Sequence, residues 1–317
     1  MFNLVQKRRL YFLLSAVLLA IGLLAMVYST VTIGSPLRLS IDFVGGSLLE
    51  VALDEAAPTE AVRDVVVDAG FADPVVNTVA DDRTFLIRTK EMNAGQKDAL
   101  VERLEGRFGP VTERRYESVG PTIGRETTRS AGLAIAAASL AILAFVAFAF
   151  RSVPNALRYG VCAIAKMLHD VLILLGVASI MGLLAGWEVD ALFLTAVLTV
   201  IGFSVQDVIV VFDRIRENIG RRRNEDFETT VNRSLLETLH RSLATQLNAI
   251  FVMVAIILFG GTTIRQFMVT MLIGMVTGTY SSIFFAVPLL VEWEQGGLGR
   301  VFRAIRGRNA VVAEARG

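Results

Sequence analysis

The 317-residue sequence is poor in cysteine, histidine and charge, and each shortage excludes a class of protein. A single cysteine, Cys162, excludes an intrachain disulfide framework and most cysteine-based metal sites. Two histidines, His169 and His240, leave little material for a zinc centre, so no metal or cofactor is expected. Charged residues make up 19% of the chain, against about a quarter in soluble domains, and the net charge is +1. That balance argues against a nucleic-acid binder.

Apolar residues are in excess, at 54% of the chain, and the mean hydropathy is +0.58. A helix needs about 20 mostly apolar residues to cross a bilayer. Six stretches are long enough, and they cover residues 10–33, 130–150, 159–187, 191–212, 242–264 and 266–291. The third and fourth of these contain charged residues. The sequence therefore predicts an all-α membrane bundle of six helices.

The charge of the connecting segments predicts the orientation of the chain. The segments expected on one side of the membrane hold 16 basic and 9 acidic residues, whereas residues 34–128, on the other side, hold 11 basic and 17 acidic ones. Because basic residues accumulate on the cytoplasmic side, both termini are expected in the cytoplasm.

Residues 34–128 are long enough for a small extracytoplasmic domain. Periodicity and turn residues predict a strand pair or bent strand at 39–53, helices at 59–69 and 96–108, and strands at 75–79, 84–89 and 111–119, with a hairpin turn at 80–83. The order β-α-β-β-α-β is that of an α+β ferredoxin-like domain. The chain is thus divided into a cytoplasmic N-terminus with the first helix (1–33), this domain (34–128), helices two to six (129–292, with a cytoplasmic loop at 213–240) and a basic cytoplasmic tail (293–317).

Charged residues inside the predicted helices are the main functional candidates, because each costs at least about 2.5–3.5 kcal/mol to insert. Asp207 has apolar neighbours on both sides, and burial favours its neutral form. With water reaching it from each side in turn, it would carry protons; the alternative is a structural hydrogen-bonding group. Arg241 opens the fifth helix and either extends to the membrane surface or pairs with Asp207.

The third helix holds a second charged group. His169 and Asp170 form a base and an acid that either join a proton relay or satisfy each other by one hydrogen bond. Lys166 lies on the same helix face as Asp170 and would neutralise it. In the sixth helix, Gly274 and Gly278 form a G-x-x-x-G pattern, which is typical of close helix packing. With no phosphate loop, nucleophile elbow or metal-ligand spacing in the sequence, an enzyme is not expected.

Several stretches together resemble the SecD/SecF family of protein-export membrane proteins, within the resistance-nodulation-division superfamily. They are residues 40–46, 119–126, His169-Asp170, 200–218, 239–241 and 259–261, in the order of the family. The intramembrane Asp and Arg of the family, which are thought to carry protons, fall on Asp207 and Arg241. Two departures are Gln206, where the family usually has Asn, and the charged Lys166.

The resemblance implies a function, a location and partners. Such a subunit lies in the bacterial cytoplasmic membrane and works with SecD, using protons as the coupling ion, to help draw preproteins from the SecYEG channel. Further membrane accessory subunits are additional expected partners. Residues at the two junctions of the external domain are candidates for transmitting motion, because glycine and proline suit specific turns. They are Asp42, Phe43, Gly45, Gly46, Gly120 and Pro121.

Two other functions stay open from the residues alone. One is a half-size exporter of small molecules or lipids from the same superfamily, although such exporters usually carry two much larger external domains in one chain. A passive scaffold that stabilises SecD would need the charges only for assembly.

Overall fold

The computed structural model describes residues 3–72, 74–79, 81–150, 156–221 and 225–296. Most of the predicted basic tail lies outside these residues. The chain forms two compact units. The helical unit comprises Met1–Arg38, Ile135–Trp187 and Leu192–Gly317, and the sheet unit comprises Leu39–Ala134 and Glu188–Ala191. Four residues of the connection that follows residue 187 thus belong to the sheet unit.

In chain order, the elements are a 3₁₀-helix (Val5–Lys7), α1 (Arg8–Ile33), α2 (Ile41–Val44), β1 (Gly46–Leu53), α3 (Thr59–Asp68), β2 (Val75–Val79), β3 (Asp81–Thr89), α4 (Ala94–Phe108), β4 (Val111–Val119), α5 (Pro121–Ala149), α6 (Ala156–Ala185), α7 (Ala191–Arg221), α8 (Phe227–Phe259), α9 (Thr262–Ser281), a π-helix (Ser282–Ala286) and α10 (Val287–Glu294).

Six helical segments of the described residues are long and apolar enough to cross a membrane. They are Val5–Ile33, Pro121–Ala149, Leu157–Ala185, Ala191–Arg221, Phe227–Phe259 and Ile264–Glu294. The prediction of six spans is confirmed. In the third, fourth and sixth spans, half of the residues in the apolar 18-residue stretch are buried. In the first, second and fifth spans, the buried share is 11%, 11% and 17%. The former three therefore form the centre of the bundle.

Helices α7 and α8 continue well beyond their uncharged stretches into the segment 213–240. Ion pairs between the charged side chains accompany this extension: Arg214 contacts Glu237 of α8 at 2.6 Å and Glu217 at 2.5 Å. At its other end α8 stops at Gly260, where a Cβ atom would lie 2.4 Å from the Ile256 carbonyl oxygen. The fifth span is therefore shorter at this end than its apolar composition predicts.

The last span is irregular between α9 and α10. Pro288 has no N–H, and its ring would collide with the carbonyl four residues earlier in a regular α-helix. The π-helix Ser282–Ala286 lies immediately upstream and widens the helix at this point. Its residues Ser282, Ile283 and Ala286 are buried, so the irregularity lies inside the bundle.

The sheet unit contains one antiparallel four-stranded sheet with the order β2-β3-β1-β4. Alternate residues of β1 and β3 face α3 and α4, and together they form the core of the unit. This core includes Leu49, Val51, Phe85, Ile87, Val62, Val66, Leu100 and Leu104. The element order is β-α-β-β-α-β, as the sequence predicts.

Local capping changes two predicted boundaries in this unit. The extended stretch predicted from residue 39 is interrupted by α2, because the Ser40 side chain accepts a hydrogen bond from the Asp42 N–H at 3.2 Å. Helix α3 begins at Thr59, as predicted, with Pro58 as its N-cap. Helix α4 begins at Ala94, two residues earlier than predicted, behind a capping box of Asn93 and Gln96. Residue 80 of the predicted turn at 80–83 lies outside the described residues. Residues 81–83 belong to β3, which begins three residues earlier than predicted.

Candidate functional site

Asp207 and Arg241 line the same cavity of the helical unit, which has a volume of about 100 Å³. The polar part of its lining is Gln206, Asp207, Arg241, Ser242, Thr245 and Gln246, and the apolar part is Phe203, Val210, Ala249 and Met275. A water needs about 10–15 Å³ of such space, so the cavity has room for several waters. It brings α7 and α8 together around the two residues singled out by sequence.

The pattern of α7 directs Asp207 inwards. Ser204, Asp207 and Val211 recur at three and four residues, so they lie on one face of the helix, and all three are buried. Asp207 is 7% exposed, and its Oδ2 atom has no hydrogen-bond partner among the described residues. A buried polar atom without a hydrogen-bond partner is costly, and this marks Asp207 as a functional candidate.

Arg241 contributes a positive charge to the cavity from the first half of α8, where its side chain is exposed. Ser242 and Gln246, one turn apart, are both buried and extend the polar face of α8 along the cavity. Among the contacts that the structure describes, no ion pair joins Arg241 to Asp207. The two charged groups therefore share a wettable space rather than a direct bond.

A second charged cluster lies around Asp170. Lys166, which is fully buried, donates to Asp170 Oδ2 at 2.9 Å and to the Ser204 carbonyl at 3.0 Å, and also contacts the Ser204 hydroxyl. The same carboxylate oxygen accepts from Ser204 Oγ at 2.5 Å and Ser281 Oγ at 2.9 Å. Asp170 is thus neutralised and well bonded, and the cluster joins α6, α7 and α9.

His169 completes this cluster. Its Nδ1 lies 2.9 Å from Asp170 Oδ1, and its ring stacks on Phe285 of the π-helix with a centroid distance of 4.5 Å. His169 is 2% exposed, and its Nε2 has no hydrogen-bond partner among the described residues. The four predicted relay residues therefore fall into two groups: Asp207 with Arg241 at the cavity, and Asp170 with His169 in the bonded cluster.

The sheet unit brings the predicted junction residues together. Gly45 and Gly46 have φ angles of +77° and +124°, which disfavour a side chain. A Cβ atom on Gly46 would lie 2.6 Å from the Thr89 carbonyl oxygen, and one on Gly45 would lie 2.9 Å from Pro121 Cα. Glycine at these positions lets two backbone segments touch.

Helix α5 packs on the same segment at Phe43. The Thr128 hydroxyl donates to the Phe43 carbonyl at 3.1 Å, and a Cβ atom on Gly124 would lie 3.0 Å from that oxygen. Gly120, one residue before Pro121, has only ordinary contacts with Glu91. Gly124 was not singled out by sequence, because an isolated glycine in a helix has no distinctive pattern.

A contact of the short connection 188–191 was also missed. Val189 pairs with Leu39 in a parallel bridge, and the Ala191 N–H, at the start of α7, donates to Asp42 Oδ2 at 3.0 Å. Arg88 of β3 forms an ion pair with Glu188. These partners are far apart in sequence, so no local pattern predicts them.

Small residues allow two pairs of helices to pack closely in the helical unit. A Cβ atom on Gly274 would lie 2.3 Å from Val200 Cγ2, and one on Gly278 would lie 3.4 Å from Ser204 Cβ, so both glycines face α7. Gly22 of α1 and Gly176 of α6 meet at the backbone, since a Cβ on Gly176 would lie 2.6 Å from Gly22 Cα.

Comparison with known proteins places this architecture in a family. Residues 101–296 match the family model described as "Protein export membrane protein SecD/SecF, C-terminal", and residues 31–57 match the model "SecD/SecF GG Motif". The protein translocase subunit SecF of Anaerolinea thermophila is 48% identical over 93% of this chain and 95% of its own length. The SecF of Thermobaculum terrenum is 45% identical over 96% of this chain and 97% of its own length.

The chain belongs to the SecF family. As a SecF-family protein with six apolar spans, it is a multi-pass membrane protein of bacterial protein transport. Its relatives are named as translocase subunits, and no catalytic activity is indicated for them. The segment matched by the GG-motif model contains Gly45 and Gly46, whose geometry requires glycine.

The resemblance to SecF proteins extends to solved three-dimensional structures. The crystal structure of SecDF, a translocon-associated membrane protein from Thermus thermophilus, matches with a TM-score of 0.79 and 31% identity. The match covers 93% of this SecF-family chain but 39% of the SecDF chain. A second SecDF structure, in a super-membrane-facing form, matches with a TM-score of 0.65 and 30% identity over 96% of this chain and 40% of its own. This chain therefore spans about two fifths of the SecDF proteins.

Proposed function

We propose that this SecF-family protein uses the proton-motive force, together with a SecD-like partner, to assist preprotein translocation through the SecYEG channel. The observation that carries the proposal is the cavity shared by Asp207 and Arg241, in which a buried carboxylate oxygen has no partner among the described residues. Asp207 is the proposed proton carrier. Arg241 stabilises its ionised form from across the cavity.

The energy available from protons fits this role. A proton crossing a potential of 100 mV releases about 2.3 kcal/mol. That energy shifts a two-state equilibrium by about 50-fold, since each 1.36 kcal/mol is a factor of ten. Driving a bundle from 1:99 to 99:1 takes about 5.5 kcal/mol, so more than two protons per cycle are needed at this potential.

Asp170 and His169 have a different proposed role from the relay that the sequence suggests. The contacts of Asp170 with Lys166, Ser204 and Ser281 favour a permanently ionised, structural carboxylate. A group held in that way has no reason to exchange protons at each cycle. The proton path is therefore assigned to Asp207 and Arg241.

The sheet unit is proposed to be a ferredoxin-like domain on the outer side of the membrane. Its strand order β2-β3-β1-β4 and its two helices on one sheet face support the first assignment. The acidic balance of residues 34–128 and the basic balance of the other connections support the second, with both termini in the cytoplasm. Asp42, Phe43, Gly45, Gly46, Gly120 and Pro121 are the proposed coupling segments.

The SecD-like partner is inferred from the comparisons. The relatives that match this chain over most of their own length are named as SecF subunits, and the chain matches about two fifths of each SecDF structure. We propose that a SecD-like partner corresponds to the rest of SecDF. The exposed apolar faces of α1, α5 and α8 provide surface for lipid and for such a partner.

Asp207→Asn and Arg241→Met in the assembled complex test the proposal. Translocation is measured in vesicles with ATP-driven transport held constant, with and without an imposed proton gradient. Both variants are expected to assemble and to lose the stimulation by the gradient. Asp213→Asn is the matched control, because Asp213 lies on the same helix and its exposed side chain pairs with Arg216. Normal stimulation in Asp207→Asn would refute the proton-carrier assignment.

A passive scaffold is the second candidate, and the Lys166–Asp170 cluster favours it. A buried, fully bonded ion pair holds helices together without proton traffic. Under this alternative, Asp207→Asn would reduce co-purification of the SecD-like partner. Stimulation of translocation by the proton gradient would then remain proportional to the amount of assembled complex.

A further inference from the structure

The Asp207 cavity contains a second buried oxygen without a donor. Gln246 of α8 is 6% exposed, and its Oε1, like Asp207 Oδ2, has no hydrogen-bond partner among the described residues. Both residues line the same cavity. Buried polar atoms in proteins are nearly always paired. Two unpaired acceptors at one polar cavity therefore indicate that a small hydrogen-bond donor belongs between them.

We propose that Gln246 is a positioning residue for proton uptake at Asp207, and this inference rests on the proposed function above. Protonation turns one carboxylate oxygen from an acceptor into an O–H donor. The Gln246 carbonyl oxygen accepts that hydrogen, directly or through one water. The two oxygens are then linked by this hydrogen in the protonated state, whereas the ionised state leaves two acceptors at one cavity, so Gln246 favours the protonated state.

Other charged groups also influence whether Asp207 is protonated or ionised. Arg241 is the one other charged side chain in the described lining of the cavity, and it favours the ionised carboxylate. Helix α9 contributes the uncharged Met275. On α6, Lys166, His169 and Asp170 bond to one another and to Ser204, so their charges are compensated within their own cluster. Gln246 and Arg241 thus oppose each other across the carboxyl group.

The test measures the pH at which gradient-stimulated translocation is half-maximal, with the full complex in vesicles. Gln246→Met keeps the side-chain length but removes the acceptor. It is expected to lower this midpoint by about one pH unit, equivalent to a tenfold loss of protonated Asp207 on the alkaline limb. Gln246→Glu places a second carboxyl group beside the first and is expected to raise the midpoint, because neighbouring carboxyls share a proton.

Asn248→Leu is the matched control. It also replaces an amide on α8, but Asn248 is exposed and does not line the cavity. Its midpoint should equal that of the unmodified protein. An infrared measurement on the purified complex gives a readout independent of transport. The C=O stretching band that disappears in Asp207→Asn should move to higher frequency in Gln246→Met, because the acid loses its acceptor.

The outcomes separate the inference from the proposed function. An unmoved midpoint and band in Gln246→Met, with stimulation still abolished in Asp207→Asn, would overturn the role of Gln246 alone. An upward midpoint shift in Gln246→Met would also overturn the role of Gln246, because such a shift would mean that the amide N–H donates to ionised Asp207. Stimulation by a sodium gradient at uniform pH, lost in Gln246→Met, would replace the proton with a metal cation. Stimulation that survives Asp207→Asn would instead remove the proposed function.

Discussion

Replacing Lys166 by Met is expected to destabilise the helical unit through the charge that it leaves behind. Lys166 is fully buried and lies 2.9 Å from Asp170 Oδ2. Met fills a similar volume but supplies neither positive charge nor donors. The Asp170 carboxylate then remains buried among Ser204, Ser281 and His169, with no full charge to compensate it.

The expected loss of stability depends on the hydrogen-bond partners that Asp170 keeps. Breaking a buried ion pair by removing one partner costs about 3–5 kcal/mol. Three partners of Asp170 persist, and a hydrogen bond to a charged group contributes about 1.5–3 kcal/mol. We therefore expect a loss near the lower end, about 3 kcal/mol. Removing both charges in Lys166→Met/Asp170→Asn should recover most of it, because paired removal of buried charges is often nearly neutral.

Thermal unfolding of the purified complex at one scan rate provides the assay. A loss of about 3 kcal/mol corresponds to a fall of roughly 6–12 °C for a unit of this size. Arg221→Met is the control, because the Arg221 side chain that pairs with Glu217 is 67% exposed and such surface pairs contribute less than about 1 kcal/mol. The reasoning fails if the double variant is no more stable than Lys166→Met, or if Lys166→Met melts within 2 °C of the control, by the same scaling.

Glycine substitutions give two further predictions. Gly46→Ala should destabilise the sheet unit by about 1–3 kcal/mol in chemical denaturation, because φ is +124° and the new Cβ meets the Thr89 carbonyl oxygen. Gly106→Ala in α4, where a Cβ meets open space, should instead stabilise it by about 0.4–1 kcal/mol, and equal effects at the two sites would contradict the geometry. Gly274→Ala should lower the melting temperature of the complex through a cost of about 1–3 kcal/mol, since its Cβ overlaps Val200. Adding Val200→Ala should recover part of this loss, and purely additive effects would mean that the two residues do not touch.

The membrane spans were predictable because the bilayer imposes a one-dimensional rule. A lipid-exposed segment must be apolar and must satisfy its own backbone, so composition and length suffice. In the sheet unit, β2 and β4 have the bounds that alternation and turn residues predict. The segment 41–44 was different, because its alternation suggests a strand whereas the Ser40 cap stabilises a helical turn.

Residue types in the site were predictable, but their grouping was not. Insertion cost alone identified Asp207 and Asp170, and the four-residue spacing indicated the contact of Asp170 with Lys166. The contributions of Ser204 and Ser281 come from other helices and follow from packing. Gln246 follows Ser242 and Thr245 in a polar stretch of the fifth span, which indicates a wet or hydrogen-bonded face. Its relation to Asp207 depends on an unpaired atom at a cavity, which the sequence does not show.

The contacts of residues 188–191 change how the protein can be dissected experimentally. By length and position this connection resembles a good place for a topology reporter or an epitope tag. However, Val189 pairs with Leu39, and Glu188 pairs with Arg88. An insertion there would disturb the bridge between Leu39 and Val189, and a fragment of residues 34–128 expressed alone would lack Glu188, one of the partners of Arg88. The sheet unit is discontinuous in sequence, so an expressed fragment that keeps all of its contacts must also carry residues 188–191.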